Sequence, residues 1–163
     1  MPSREGSKLL EAATASARRE PRLLSGGGGL LSTAHDYHRF ATMLLRGGEL
    51  DGVRLLSQRT LDLMTENHLP DGGDLEHAAS GQFAETDYAG VGFGLGFSVA
   101  LERAKNKSLV SEGSFGWGGA FSTVFWVDPV EDLTVSFFTQ LLPSSTYKIR
   151  RELQRLVYPA LVD

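Results

Sequence analysis

The stretch "GSFGWGGAFST" (residues 113–123) packs four glycines, two phenylalanines and a tryptophan into eleven positions, directly before a run that reads as β-strand. Such a composition serves a tight turn, a phosphate cradle, or the edge of an active site. The phosphate reading fails on placement. Gly90, Gly92, Gly94 and Gly96, like the glycines of 113–119, sit in strand-like segments, whereas a dinucleotide loop ends a strand and opens a helix whose N-terminus holds the phosphate. Gly26 to Gly29 does precede a helical pattern, but no Lys-Ser/Thr follows, and it reads as a hinge. Among nucleophile motifs, G-x-S-x-G is absent and one Ser-x-x-Lys occurs, at Ser145-Thr146-Tyr147-Lys148. That spacing lets a lysine one turn along reach back to the serine hydroxyl. Here the serine stands at the start of a cationic helix, and capping by Ser144 or Ser145 is the preferred reading. His35, His38, His68 and His77 include one H-x-x-H pair without a carboxylate at a zinc-protease position, and they read as wetted surface groups.

The elements that must position these groups follow from periodicity. Residues 1–25 form a poorly defined lead-in, with a thin helical pattern over 7–20 ended by Pro21. Ser32 or Thr33 caps a helix over 32–46, with Tyr37, Phe40, Met43 and Leu44 at helical spacing and Gly47-Gly48 as its stop. Ser57 caps a second helix over 57–68, through Leu61, Met64 and His68. Residues 70–90 are polar, glycine-rich and aperiodic, a long surface loop. From Val91 the period becomes two. Gly92, Gly94 and Gly96 alternate with Phe93, Leu95 and Phe97, which leaves one strand face as bare backbone for a helix to approach. A hairpin follows, with strands 121–127 and 133–140 about a turn at 128–132, so that strands occupy about 93–140. An amphipathic helix over 145–158 closes the chain, with Ile149, Leu153, Leu156 and Val157 on its apolar stripe. This order predicts an α+β fold, an antiparallel sheet flanked by helices.

The 163 residues suit one domain, and 41% hydrophobic with 22% charged residues is a globular balance. The net charge of -4 leaves no basic footprint. Cations concentrate only at Arg18-Arg19 and at Lys148, Arg150, Arg151 and Arg155, so nucleic acid is not an expected partner. No apolar run has the length of a membrane span, and the first twenty residues carry no signal-peptide hydrophobic region. Neither membrane nor export is expected, and the default location is the cytoplasm. Cysteine is absent, which excludes disulfide and thiol chemistry.

"GGGGLLSTAHDYHRFATMLL", "GVGFGLGFSV" and above all "GSFGWGGAFSTVFWVDPVEDLTVSFFTQ" resemble the C-terminal half of the serine β-lactamase-related family, and within it the class C-like, family VIII carboxylesterases. The resemblance runs from about Gly26 to the end with the segments in the same order. It implies part of a β-lactamase/transpeptidase-like fold over 26–163 and acyl-enzyme chemistry on small esters or β-lactams, with no cofactor and no metal. In that family a Ser-x-x-Lys supplies nucleophile and base, a Tyr-x-Asn or Tyr-x-Ser a second acid/base, and a third box on a strand edge lines the pocket. Trp117-Gly118-Gly119 matches the third box. The match implies that Ala120 N–H is an oxyanion donor, Trp117 an apolar wall, and Gly118 and Gly119 the residues that let an ester approach the edge. Beside it stands a plainer reading, in which Phe115, Trp117 and Phe121 are core aromatics and the glycines a bulge. A tryptophan where β-lactamases carry a cation removes the partner of a β-lactam carboxylate, which tilts the expectation toward neutral esters.

The chain also departs from the pattern. Tyr37, Tyr88, Tyr147 and Tyr158 are followed at the second position by Arg, Gly, Ile and Ala, so none begins the tyrosine motif. Ser145 falls where the resemblance places the family's C-terminal helix, away from the pocket. The expectation is a carboxy-terminal fragment of a serine hydrolase, inactive alone; the alternative is a non-catalytic module that self-associates or complements an N-terminal partner chain through its exposed sheet edge.

Overall fold

The computed structural model describes residues 20, 23–24, 29–78 and 88–162. The lead-in pattern apart from Glu20, hinge residues 26–28 and loop residues 79–87 lie outside the described residues. Thr33 caps α1 (Ala34–Leu45), its hydroxyl accepting the Asp36 N–H at 3.1 Å. Gly47 and Gly48, at φ +71° and +89°, turn the chain out of the helix. It enters a small hairpin of β1 (Glu49–Leu50) and β2 (Val53–Arg54), whose turn is Asp51-Gly52. Asp-Gly is a strong signal for this turn, but strands of two residues carry no periodicity by which to find them.

Ser57 caps α2 (Gln58–Thr65) by accepting the Thr60 N–H at 3.1 Å. The helix stops short of the expected 68 because His68 N–H donates to Phe93 O at 2.8 Å, which pulls the segment onto the sheet. A 3-10 turn at Pro70–Gly72 and a single helical turn, α3 (Leu75–Ala78), occupy part of the stretch expected as loop.

The five-stranded sheet comprises β3 (Val91–Phe93), β4 (Ser98–Ala100), then after a short α4 (Arg103–Asn106) β5 (Phe115–Gly118), β6 (Val124–Asp128) and β7 (Leu133–Phe137). The strands lie in sequence order and each pair is antiparallel. The alternating glycine stretch is therefore two strands, not one. It folds back at 94–97, where Gly94 N–H donates to Phe97 O at 2.8 Å and Gly96 takes φ +102°. Only part of the expected bare face is covered: a side chain on Gly92 would strike the Asn67 amide, and one on Gly94, in the turn, the Met64 carbonyl near the end of α2, whereas one on Gly96 would meet nothing among the described residues.

The last helix, α5 (Ile149–Val157), begins four residues later than expected, with Lys148 at its N-cap and no side-chain cap. Ser144–Thr146 instead forms a separate 3-10 turn, so neither Ser144 nor Ser145 caps α5. Leu153 and Val157 pack toward the sheet, whereas Leu156 is 71% exposed and off the apolar stripe.

Helices cover both faces. Ala41, Met43 and Leu44 of α1 and Leu61 of α2 pack on Val99, Phe115, Phe125 and Val127. On the opposite face, Leu153 and Val157 of α5 with Tyr158 pack on Val124, Trp126 and Val135. Strand β6 is buried throughout, which explains why "VFWVD" shows no polar alternation. It ends in Asp128, fully buried, whose carboxylate accepts from Tyr158 Oη (2.7 Å) and from the N–H groups of Ser111 (3.0 Å), Val130 (3.1 Å) and Glu131 (3.3 Å). Trp126 Nε1–H donates in turn to Tyr158 Oη at 3.2 Å. Tyr158→Phe removes the shared hydroxyl from this chain of bonds and should cost about 1.5–3 kcal/mol of folding stability. Urea unfolding should show a lower midpoint with an unchanged slope.

Candidate active site

Residues 113–123 form most of a β-hairpin. The β5–β6 register runs from Phe115↔Val127 to Gly118↔Val124. A turn closes it, in which Gly119 N–H donates to Thr123 O (3.0 Å) and Ser122 N–H to Gly119 O (3.1 Å). Ser122 takes φ +66°, a left-handed conformation usual for the third residue of such loops, and its hydroxyl is pinned to Leu141 O at 2.8 Å. On its other side β5 pairs with β4 only as far as Gly116. Toward β4, Ser114 O accepts from Ala100 N–H and Gly116 O from the Ser98 hydroxyl, both at 2.8 Å. Alternation then turns the amide of Gly118 to that same side, past the end of the pairing.

Trp117, Gly118 and Gly119 line a cavity of about 230 Å³ together with Tyr37, Thr123, Phe125 and Phe138. Ala120 is exposed at the first central position of the turn and does not line it. Trp117 is half-buried, with the Tyr88 ring stacked over it at 6.5 Å and 15° and the Phe93 ring edge-on at 5.0 Å. It is core aromatic and cavity wall at once, while Phe115 is wholly core. Each glycine also has a packing reason. A Cβ on Gly116 would strike the Phe125 carbonyl, on Gly118 the guanidinium of Arg150 reaching over from α5, and on Gly119 the Thr123 hydroxyl.

Sequence reasoning passed over Tyr37, Tyr88, Phe138 and Arg150. Tyr37 stands on the apolar stripe of α1 and meets Phe40, Phe125 and Phe138 edge-on at 5.2–5.7 Å. Its hydroxyl on an otherwise apolar face was the available signal. Burial pushes the Tyr37 phenol above its ordinary pKa, so it stays protonated near neutrality and is no base there. Ser145 and Lys148 are exposed. Two residues past Lys148, Arg150 Nη2 donates to Gly119 O at 3.0 Å and Thr123 O at 3.5 Å.

Asp74 holds the approach to Tyr88. Its carboxylate accepts the Gly90 N–H at 3.0 Å and binds His77 Nδ1 at 2.6 Å. The Gly90 bond, then the His77 bond, hold Asp74 at a pKa of about 2, while the Asp74 carboxylate raises exposed His77 above its ordinary value. His38 meets Thr134 Oγ1 at 3.4 Å and His68 Nε2 the Leu63 carbonyl at 2.7 Å, both at the surface.

A model of the beta-lactamase family matches residues 2–158, and the chain belongs to that family. Two Mycobacterium tuberculosis proteins, the uncharacterized protein MT1414 and protein Rv1367c, are each 39% identical over 126 residues, which is 76% of this chain and 30% of theirs. Among solved structures, EstCE1, a hydrolase with promiscuous acyltransferase activity, superposes with a TM-score of 0.67 at 24% identity over 88% of this chain and 34% of that one. Unliganded simvastatin synthase (LovD) from Aspergillus terreus gives 0.64 at 27% identity over 83% and 34%. The sheet and its helices thus belong to the β-lactamase/transpeptidase-like fold, and the chain spans about a third of the length of these relatives.

The Asp74–His77 pair can be checked by titration. Asp74→Asn should bring the His77 proton resonances back to ordinary imidazole titration, and the wild-type value should lie above it. Because the Asp74 pKa is depressed in the fold, its stabilising contribution is present above the ordinary carboxylate range and lost as pH falls toward 2. Wild type should therefore lose thermal stability relative to Asp74→Asn in that acid window, and again as pH rises through the raised His77 value, where the contribution of charged His77 is lost.

Proposed function

We propose that Trp117, Gly118 and Gly119 form one wall of an acyl-enzyme site for neutral esters, with Ala120 at the adjoining turn. Trp117 bounds the acyl or alcohol group, and the Ala120 N–H is one oxyanion donor. The nucleophile and base come from sequence other than these 163 residues. The observation that carries this reading is the position of Trp117-Gly118-Gly119 where β5 outruns β4, against a cavity whose lining among the described residues holds no charged side chain. Family membership and the hydrolase and acyltransferase neighbours support it. A third-box tryptophan, which carries no charge of its own, favours neutral substrates over the carboxylate of a β-lactam. Backbone donors fixed by a hairpin stabilise a developing oxyanion without reorganising, typically by a factor of about 100–1,000 per donor.

The purified chain should hydrolyse neither p-nitrophenyl butyrate nor nitrocefin above background. Supplying a segment with Ser-x-x-Lys and Tyr-x-Asn should confer esterase activity, which Trp117→Ala then lowers. Turnover by the chain alone that Ser145→Ala abolishes would overturn the proposal.

A second reading rests on β7, which is an outer strand of the sheet. It makes the chain a non-catalytic module that pairs through this edge with a second copy. Light scattering that finds only a monomer at high concentration would exclude it.

A further inference from the structure

From the contact between Arg150 and Gly119 we infer that Arg150 is a positioning residue that polarises the peptide unit presenting the Ala120 N–H. The inference rests on the oxyanion reading above for its catalytic meaning, though not for its physics. Gly119 C=O and Ala120 N–H belong to one planar unit, and in the trans form they point in opposite directions. Arg150 Nη2 donates to that carbonyl at 3.0 Å. A charged donor on the oxygen draws electron density through the unit and leaves the N–H at its far end a better donor. The guanidinium thus acts from behind the hairpin on a group that faces away from it, with no need to touch substrate.

Gly118 fits the same arrangement. The guanidinium lies where a Gly118 side chain would be, so the glycine admits Arg150 to the hairpin. The 3.5 Å contact to Thr123 O ties the same group to the opposite limb, which fixes where the peptide unit points. Arginine suits the task because its planar fork can address two carbonyls at once and keeps its charge at any working pH.

Amide exchange separates polarisation from mere support. Exchange of an exposed N–H is catalysed by hydroxide, so it slows when the N–H loses acidity and speeds up when local structure loosens. In Arg150→Met the Ala120 amide should exchange roughly three- to tenfold more slowly, a change of up to about one unit in N–H acidity. Its proton resonance should move upfield, and Arg150→Lys should restore part of both effects. Gly118→Ala, which displaces the guanidinium without removing its charge from the chain, should act in the same direction and keeps the test available if Arg150→Met does not fold. Unchanged or faster Ala120 exchange in the folded variants would overturn the inference. None of these readouts needs a nucleophile, so failure here and failure of the esterase reading are distinguishable.

Discussion

A carboxylate with no access to solvent holds the second face of the sheet. Asp128 closes β6, and its two oxygens bind the turn into β7, the loop at Ser111 and the hydroxyl of Tyr158 beyond α5. Burying an ionised group is costly unless donors replace its water, and here four do so. Desolvation, then the bond to Asp128, pushes the Tyr158 phenol far above its ordinary pKa, so the tyrosine remains the donor and the aspartate the acceptor. This arrangement sets the end of α5 against the sheet. At the start of the same helix, this placement brings Arg150 to the β5–β6 hairpin.

The Trp-Gly-Gly triplet is thereby shaped from both sides. Trp117 points to the α1 face with its cross-strand partner Phe125, and its ring also meets Phe93 edge-on and Tyr88. Gly118 points to the α5 face, where Arg150 takes the space of a side chain. Strand alternation makes this division unavoidable: adjacent residues cannot share a face. The hairpin tip is held by Ser122, whose left-handed backbone is stabilised by its bond to Leu141 O. The apolar cavity and the hairpin amides are consequently properties of packing on two opposite faces, and neither face alone defines them.

Most of the secondary structure was legible where a signal is local. Thr33 and Ser57 cap their helices as side-chain chemistry dictates, and the alternation from Val91 marks β structure. Two features misled for physical reasons. Glycines at 92, 94 and 96 suit a close-packed strand and a tight turn equally, and only tertiary contacts with Met64 and Asn67 decide between them. Serines before a cationic helix look like caps, yet the 3-10 turn at Ser144–Thr146 comes first. The conspicuous "FWVDP" is a packing signature: Phe125 and Val127 serve one core, Trp126 the other, and Asp128 the buried anchor. At the site, Trp117 and the glycines could be picked out by composition. Tyr37, Tyr88, Phe138 and Arg150 could not, because they reach the hairpin from separate elements.

The chemistry available to the cavity follows from what lines it. Among the described residues its one titratable group is Tyr37, whose phenol burial pushes above its ordinary pKa, and its one aliphatic hydroxyl, Thr123, lies against Gly119. In the Asp74–His77 pair His77 is exposed and Asp74 largely covered, and the pair reaches the cavity only through Gly90 and the Tyr88 stack. What these walls can contribute is shape, low polarity and oriented amides. Such features lower the energy of charge that develops on an acyl oxygen, but they cannot create a nucleophile. An active centre built on this hairpin must therefore draw its reacting groups from elsewhere, and its pH dependence should be theirs and not that of these walls.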